Sequence, residues 1–130
     1  GYAYYSGGVL TLNGYAFEGE GYVYDTDAMY TAGIYSMSAL KIVLTDKNFI
    51  TDTGVSSTVI YAGDTLTIEG TGSLMGVAKN YGILAYNDFV VNGGTLLATG
   101  ALGMAQSVTG NGVDVLNFNI SFFYRFLKLQ

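Results

Sequence analysis

The phrase LTIEGTGSL at residues 66–74 returns 23 residues later as FVVNGGTLL at residues 89–97. Both are short apolar alternations that run into a glycine pair and then resume. Ile42-Val43-Leu44-Thr45-Asp46 lies 24 residues before Leu66, and Leu10-Thr11-Leu12-Asn13-Gly14 has the same form beyond a longer, Tyr-rich gap. Each of the three later copies has a short run before it (GIYSMS, VIYAGD, GILAYND) and another after it (NFITDTG, GSLMGVA, GTLLATG). Three strand-like pieces per repeat, each closed by Gly, Asn or Asp, thus recur about four times.

Strand geometry turns this repetition into a fold. An alternating strand buries one face, and a single three-strand unit has too little core to stand alone. Stacking similar units ~4.8 Å apart lets every strand pair with its counterpart above and below, and piles inward Leu, Ile, Val and Phe into continuous columns. Gly and Asn suit the corners, where positive φ is often required; Glu69 with Asn92 and Asp64 with Asn87 fall at two such corners. An antiparallel sandwich also has many short strands, but it does not need a constant period with matching registers. The expected fold is all-β, a single-stranded right-handed parallel β-helix (β-solenoid) of about 4–5 turns with roughly 22–25 residues per turn. Its right-handedness rests on analogy and on general chirality preferences. It forms one domain: residues 1–32 a Tyr-rich N-terminal turn or cap, 33–103 the regular repeats, and 104–130 an apolar C-terminal cap or interface segment.

Composition narrows the chemistry. The 130 residues are 50% hydrophobic and 12% charged, which argues against disorder. With 19 Gly and no Pro, tight turns rest on Gly, Asn or Asp. The formal charge is −5, and the cations Lys41, Lys47, Lys79, Arg125 and Lys128 are too sparse to make a stripe. No nucleic-acid partner and no anionic membrane surface is therefore expected. Absent Cys and His remove thiol nucleophiles, thiolate metal sites, the commonest zinc ligand and the commonest general base. The chain begins at Gly1 without a signal-type apolar region, as expected of a mature product or a domain. The apolar tail VLNFNISFFYRFLKL is interrupted by Asn117, Asn119, Arg125 and Lys128. It is shorter than the ~20 apolar residues of a spanning helix, so no membrane insertion is expected.

The segment LTDKNFITDTG, followed by TVIYAGDTLTIEGTGSLMGVAKNYGILAYNDFVVNGGTLLATG, resembles the repeats of bacterial carbohydrate-binding β-helix surface proteins, the adhesin-like family of cellulolytic clostridia. That family pairs a strand-turn-strand phrase, I-x-(S/A)-x-(D/N)-D-L-x-I-x-G, with G-(S/T)-L-x-(V/A). The resemblance covers roughly residues 40–103. It implies a right-handed parallel β-helix at the cell surface or outside the cell, binding polysaccharide without cleaving it and carrying calcium. Apart from Asp64 and Asp88, the central repeats hold few carboxylates.

Candidate site residues follow from residue type. Tyr rings stack on apolar sugar faces and hydrogen-bond through their hydroxyls. Tyr35 and Tyr61 each follow the Ile of a (G/V)-I-Y phrase, so both project from one face on neighbouring repeats, and Tyr81 and Tyr86 lie close to the next copy. These four are the expected ligand-binding set, against an alternative in which they pack under outer loops. The N-terminal YAYY and the pair Tyr22 and Tyr24 are expected to cover the end of the coil. Calcium needs six to eight oxygen ligands; the best cluster is Glu18, Glu20, Asp25 and Asp27, with Asp46, Asp52, Asp64 and Asp88 a weaker set. For both sets the plainer reading is turn residues bonding nearby amides. No catalytic residue is assigned: glycoside hydrolysis needs two carboxyls across a cleft, and the pairing of Asp64 with Asp88 is equally expected of corner residues.

The C-terminal segment VLNFNISF alternates as a strand would, and FFYRFL is too apolar for a free tail. Phe118, Ile120, Phe122, Phe123, Tyr124, Phe126, Leu127 and Leu129 are the expected interface residues. The expected function is a non-catalytic extracellular or cell-surface protein binding polysaccharide. The alternative is a self-assembling subunit of an extracellular filament or sheath, joined through the coil ends and this apolar segment.

Overall fold

The computed structural model describes residues 1–100 in full and, beyond them, the backbone of the strands Met104–Gln106, Val113–Val115 and Phe118–Ile120. In chain order the strands are β1 (Tyr2–Ser6), β2 (Val9–Asn13), β3 (Ala16–Gly19), β4 (Tyr22–Asp25), β5 (Tyr30–Ser36), β6 (Leu40–Thr45), β7 (Lys47–Asp52) and β8 (Ser56–Ala62). They continue as β9 (Leu66–Gly70), β10 (Ser73–Val77), β11 (Tyr81–Ala85), β12 (Phe89–Val91), β13 (Gly94–Thr99), β14 (Met104–Gln106), β15 (Val113–Val115) and β16 (Phe118–Ile120). The described residues contain strands and no helix, so the chain is all-β.

The strands fall into three sheets, ordered β1-β2-β6-β9-β12, β15-β13-β10-β7-β3 and β14-β16-β11-β8-β5-β4. From β5 to β13 consecutive strands visit the third, first and second sheets in strict rotation. Every pairing inside that run joins a strand to the one three places later, and all are parallel. Among the described residues, antiparallel pairs occur only at sheet margins: β1 with β2, β4 with β5, and β14 with β16.

Register is where the repeat acts. Leu66 faces Phe89 and Ile68 faces Val91, the 23-residue spacing of the two phrases. Leu10 faces Ile42 and Leu12 faces Leu44, as their shared form predicts. Ile42 was expected opposite Leu66, but the structure sets Leu40 opposite Leu66 and Ile42 opposite Ile68. The added length lies in the corner between Thr51 and Thr58, which is longer than the matching corner between Val77 and Tyr81. A shift of two keeps each side chain on its own face, so the apolar column survives the slip.

The core lies between the three sheets. One cluster joins Leu12, Ile42 and Leu66 of the first sheet, Ile50, Leu74 and Leu96 of the second, and Ile60 and Ile83 of the third. Each fully buried aliphatic contributes about 1.5–3 kcal/mol. The exposed Lys41–Glu69 ion pair, with Nζ and Oε1 3.7 Å apart, belongs to a class worth at most about 1 kcal/mol. Burial therefore dominates. Side-chain size is matched across sheets: at Gly76 an added Cβ would meet Val59 Cγ1, so the glycine makes room for the valine.

Asn48 and Asp52, two polar side chains that enter the core, are each held by several hydrogen bonds. Asn48, in register with Leu74, accepts from the Tyr15 N–H at 2.8 Å and donates through Nδ2 to the carbonyls of Thr45, Asp46 and Ser73. The buried Asp52 carboxylate accepts from the N–H of Gly21 and of Gly54 and from the Thr31 hydroxyl, at 2.9–3.1 Å. It ties three chain segments together. Asp52→Ala leaves these donors unsatisfied, and an equilibrium denaturant titration should show a loss of about 3 kcal/mol.

Gly70 has φ 105° and faces Leu44, whose carbonyl oxygen an added Cβ would strike. Gly70→Ala should cost at least about 1–3 kcal/mol on the same titration, with no change in any side chain of the core.

Candidate functional site

The third sheet bends at one level. Its pairing passes from Ala32↔Thr58 to Ile34↔Ile60, and from Tyr81↔Thr58 to Ile83↔Ile60, stepping over Gly33, Val59 and Gly82. Val59 and Ile60 are both fully buried although adjacent, so the two-residue alternation resets there. Glycines on either side of Val59 allow the bend. Beyond it, Tyr35 lies in register with Tyr61 on the outer face.

On that outer face five tyrosines form a continuous row. Tyr35 stacks on Tyr61 with ring centroids 4.9 Å apart, and Tyr61 meets Tyr86 at 5.2 Å. Tyr24 lies 4.7 Å from Tyr61 and 5.0 Å from Tyr35, and Tyr22 lies 5.1 Å from Tyr35. Tyr30 extends the group at 6.0 Å from Tyr24. An open groove of about 310 Å³ runs along Tyr35, Met37, Tyr61, Gly63 and Tyr86, with no charged side chain in its lining.

Of the four expected ligand-binding residues, Tyr35, Tyr61 and Tyr86 come together. Tyr81 lies at another level of the same sheet. It pairs with Thr58 on the other side of the bend and lines a separate pocket of about 130 Å³ with Tyr24 and Tyr30. Its nearness in sequence to the next Ile-containing copy places it on this sheet, but at the Thr58 level rather than the Tyr61 level. Tyr22 and Tyr24, expected at the end of the coil, stand on β4, the marginal strand of the third sheet, whose antiparallel pairing with β5 also lays both against the row. The alternation Tyr22-x-Tyr24, which sets both on one face of a strand, was the signal for them.

The expected cation ligands are spread out. Glu18 is exposed on β3 in the second sheet, Glu20 is exposed beyond that strand, and Asp25 ends β4 in the third. Asp25 Oδ1 accepts from the N–H groups of Asp27 and Ala28, a local turn. Asp46 Oδ1 accepts from the Lys47 N–H, and Asp64 Oδ1 from the Thr65 N–H and from Asn87 Nδ2 at 2.9 Å. That last contact joins two corners 23 residues apart. Among the described residues no three acidic side chains gather in a group that could hold a metal ion. Phe118 and Ile120 lie on β16, where Ile120 pairs with Ile83. Their side chains, and Phe122, Phe123, Tyr124, Phe126, Leu127 and Leu129 altogether, lie outside the described residues.

A larger apolar cleft of about 550 Å³ opens among Tyr5, Leu10, Leu12, Tyr15, Ile34 and Leu40, without a carboxylate or cation in its lining. No helix of the described residues is long and apolar enough to cross a membrane. Comparison with protein-family models, curated proteins and solved structures found no match.

The row has its own electrostatics. Burial, with the neighbouring Tyr61 and Tyr30 phenols, pushes the Tyr24 hydroxyl from 10.0 up to about 12, against a hydrogen bond from Thr58 that lowers it. Burial and the Tyr61 and Tyr22 phenols raise Tyr35 in the same direction. Below pH 10 Tyr24 is neutral in both folded and unfolded chains and this contribution is intact. Between pH 10 and 12 the unfolded chain ionises first, so stability falls as pH rises through that window. Urea titrations across it should show the decline, and Tyr24→Phe should flatten it.

Proposed function

We infer that the chain winds as one right-handed parallel β-helix and serves as a non-catalytic, extracellular or cell-surface protein that binds polysaccharide along its tyrosine row. The rotation of strands through three sheets supports the coil. Right-handedness rests on chirality preference and on the resemblance over residues 40–103.

The observation that carries the binding reading is the row itself, Tyr22 and Tyr24 through Tyr35 and Tyr61 to Tyr86, beside an open uncharged groove. Rings that lie against one another shield much of their faces, so the row offers half-exposed rims and phenolic hydroxyls over several repeats. A glycan strand laid along it takes hydrogen bonds from the hydroxyls and apolar contact from the rings. The groove supplies no cation for carboxylated sugars, which favours a neutral chain.

Affinity electrophoresis and pull-down on insoluble neutral and acidic glycans, with and without chelator, test this. Tyr61→Ala should weaken retention about ten-fold through loss of about 1.5 kcal/mol of aromatic contact. Retention by no glycan would remove the reading.

A self-assembling structural role is the second reading, favoured by two surfaces. Ala16, Phe49, Met75 and Leu97 align in register across the second sheet, with Phe49 46% and Met75 47% exposed. The margin strand β1 is exposed throughout and carries no charge, the kind of edge that invites another strand. Analytical ultracentrifugation separates the readings, since a strictly monomeric protein excludes the polymer.

A further inference from the structure

The tyrosine row has a chemical property that glycan binding does not use. The chain contains no Trp, Cys or His, so among the usual sinks for a one-electron oxidant tyrosine is what it offers, twelve times over. Five of these phenols lie in one connected array, with ring centroids 4.7–5.2 Å apart. Tyr22, 62% exposed, forms the accessible end. An electron taken from any member can be replaced by its neighbour, so the oxidised site moves within the array. Two radicals formed there are held side by side, and the encounter that coupling needs is already made.

We propose that the row is an oxidative cross-linking site, at which Tyr24 and Tyr61 couple to dityrosine and bond β4 covalently to β8. Theirs is the closest ring pair, 4.7 Å between centroids. Its planes are tilted by 43°, nearer the twisted geometry of two directly bonded rings than the 14° of Tyr24 on Tyr35.

The oxidant is a peroxidase-type one-electron acceptor driven by hydrogen peroxide. Each phenol gives up one electron to it and its hydroxyl proton to solvent. The two phenoxyl radicals pair their unpaired electrons in a single Cε–Cε bond. The ring hydrogens on the joined carbons then move to the oxygens, restoring both phenols. Two electrons and two protons have left, and one hydrogen peroxide has become two waters.

The bond spans 37 residues of sequence, from Tyr24 to Tyr61, and joins the marginal strand β4 to the interior strand β8 of the same sheet. In a chain without cysteine it performs the work of a disulfide, removing conformations from the unfolded state.

The test uses the whole chain at low concentration with horseradish peroxidase and hydrogen peroxide. The expected product is monomer-sized, fluoresces as dityrosine, has lost two hydrogen masses, and yields one cross-linked peptide pair containing Tyr24 and Tyr61. Its melting temperature should rise. Tyr24→Phe keeps the ring and the packing but removes the phenol. It should retain the circular dichroism spectrum and lower the monomer-sized yield about ten-fold, because the closest ring pair of the array is gone. Cross-links found only between chains, a peptide pair without Tyr24 or Tyr61, or an unchanged yield in Tyr24→Phe would overturn the proposal.

Discussion

Parallel strands laid in register, like side chain over like, are the constraint from which the rest of this structure follows. Each backbone pairs with the backbone one repeat away, so a residue's neighbours above and below are its own equivalents. Leu40, Leu66 and Phe89 form one such column, Ile42, Ile68 and Val91 another, and Ile34, Ile60 and Ile83 a third. A repeating sequence therefore builds a continuous core from short strands that could not stand alone. Register also explains the tolerance of the fold to unequal corners: the longer corner between Thr51 and Thr58 changes the spacing from 26 to 23, and the apolar columns continue on either side of it.

The same constraint makes polar exceptions informative. A polar residue in an apolar column must bring its partners with it. Asn48 stands over Leu74 and does so by reaching both the preceding corner and the next repeat. Asp52 sits at a corner where three segments converge and is satisfied by two amides and a hydroxyl. Asp25, Asp46, Asp52 and Asp64, read in the sequence as cation ligands, thus hold the chain's own amides, which is what a Pro-free chain rich in tight corners requires of its Asp and Asn.

Stacking writes the outer face as well as the core. Tyr35 over Tyr61 is a column like any other, but it faces solvent, and there a column becomes an array. The antiparallel return of β4 against β5 thickens that array with Tyr22 and Tyr24 and raises the Tyr24 hydroxyl to about 12 by enclosing it among other phenols. One arrangement accounts for the groove, the electrostatics and the redox chemistry proposed for it.

The sequence alone determined the all-β class, the three strands per repeat, the Leu66–Phe89 and Leu10–Ile42 registers, and the pairing of Tyr35 with Tyr61. Each follows from a pattern, within a strand or between repeated phrases, that can be read along the chain. Tertiary structure decided what breaks the period. The bend at Val59 sent Tyr81 to one side and kept Tyr61 on the other, because Gly33 and Gly82 have no Cβ to resist the turn. The antiparallel hairpin of β4 and β5 brought Tyr24 within 4.7 Å of Tyr61 across 37 residues, and Asp52 found Gly21 across 31. Such contacts depend on where the chain turns back in space, and no alternation within a strand records that.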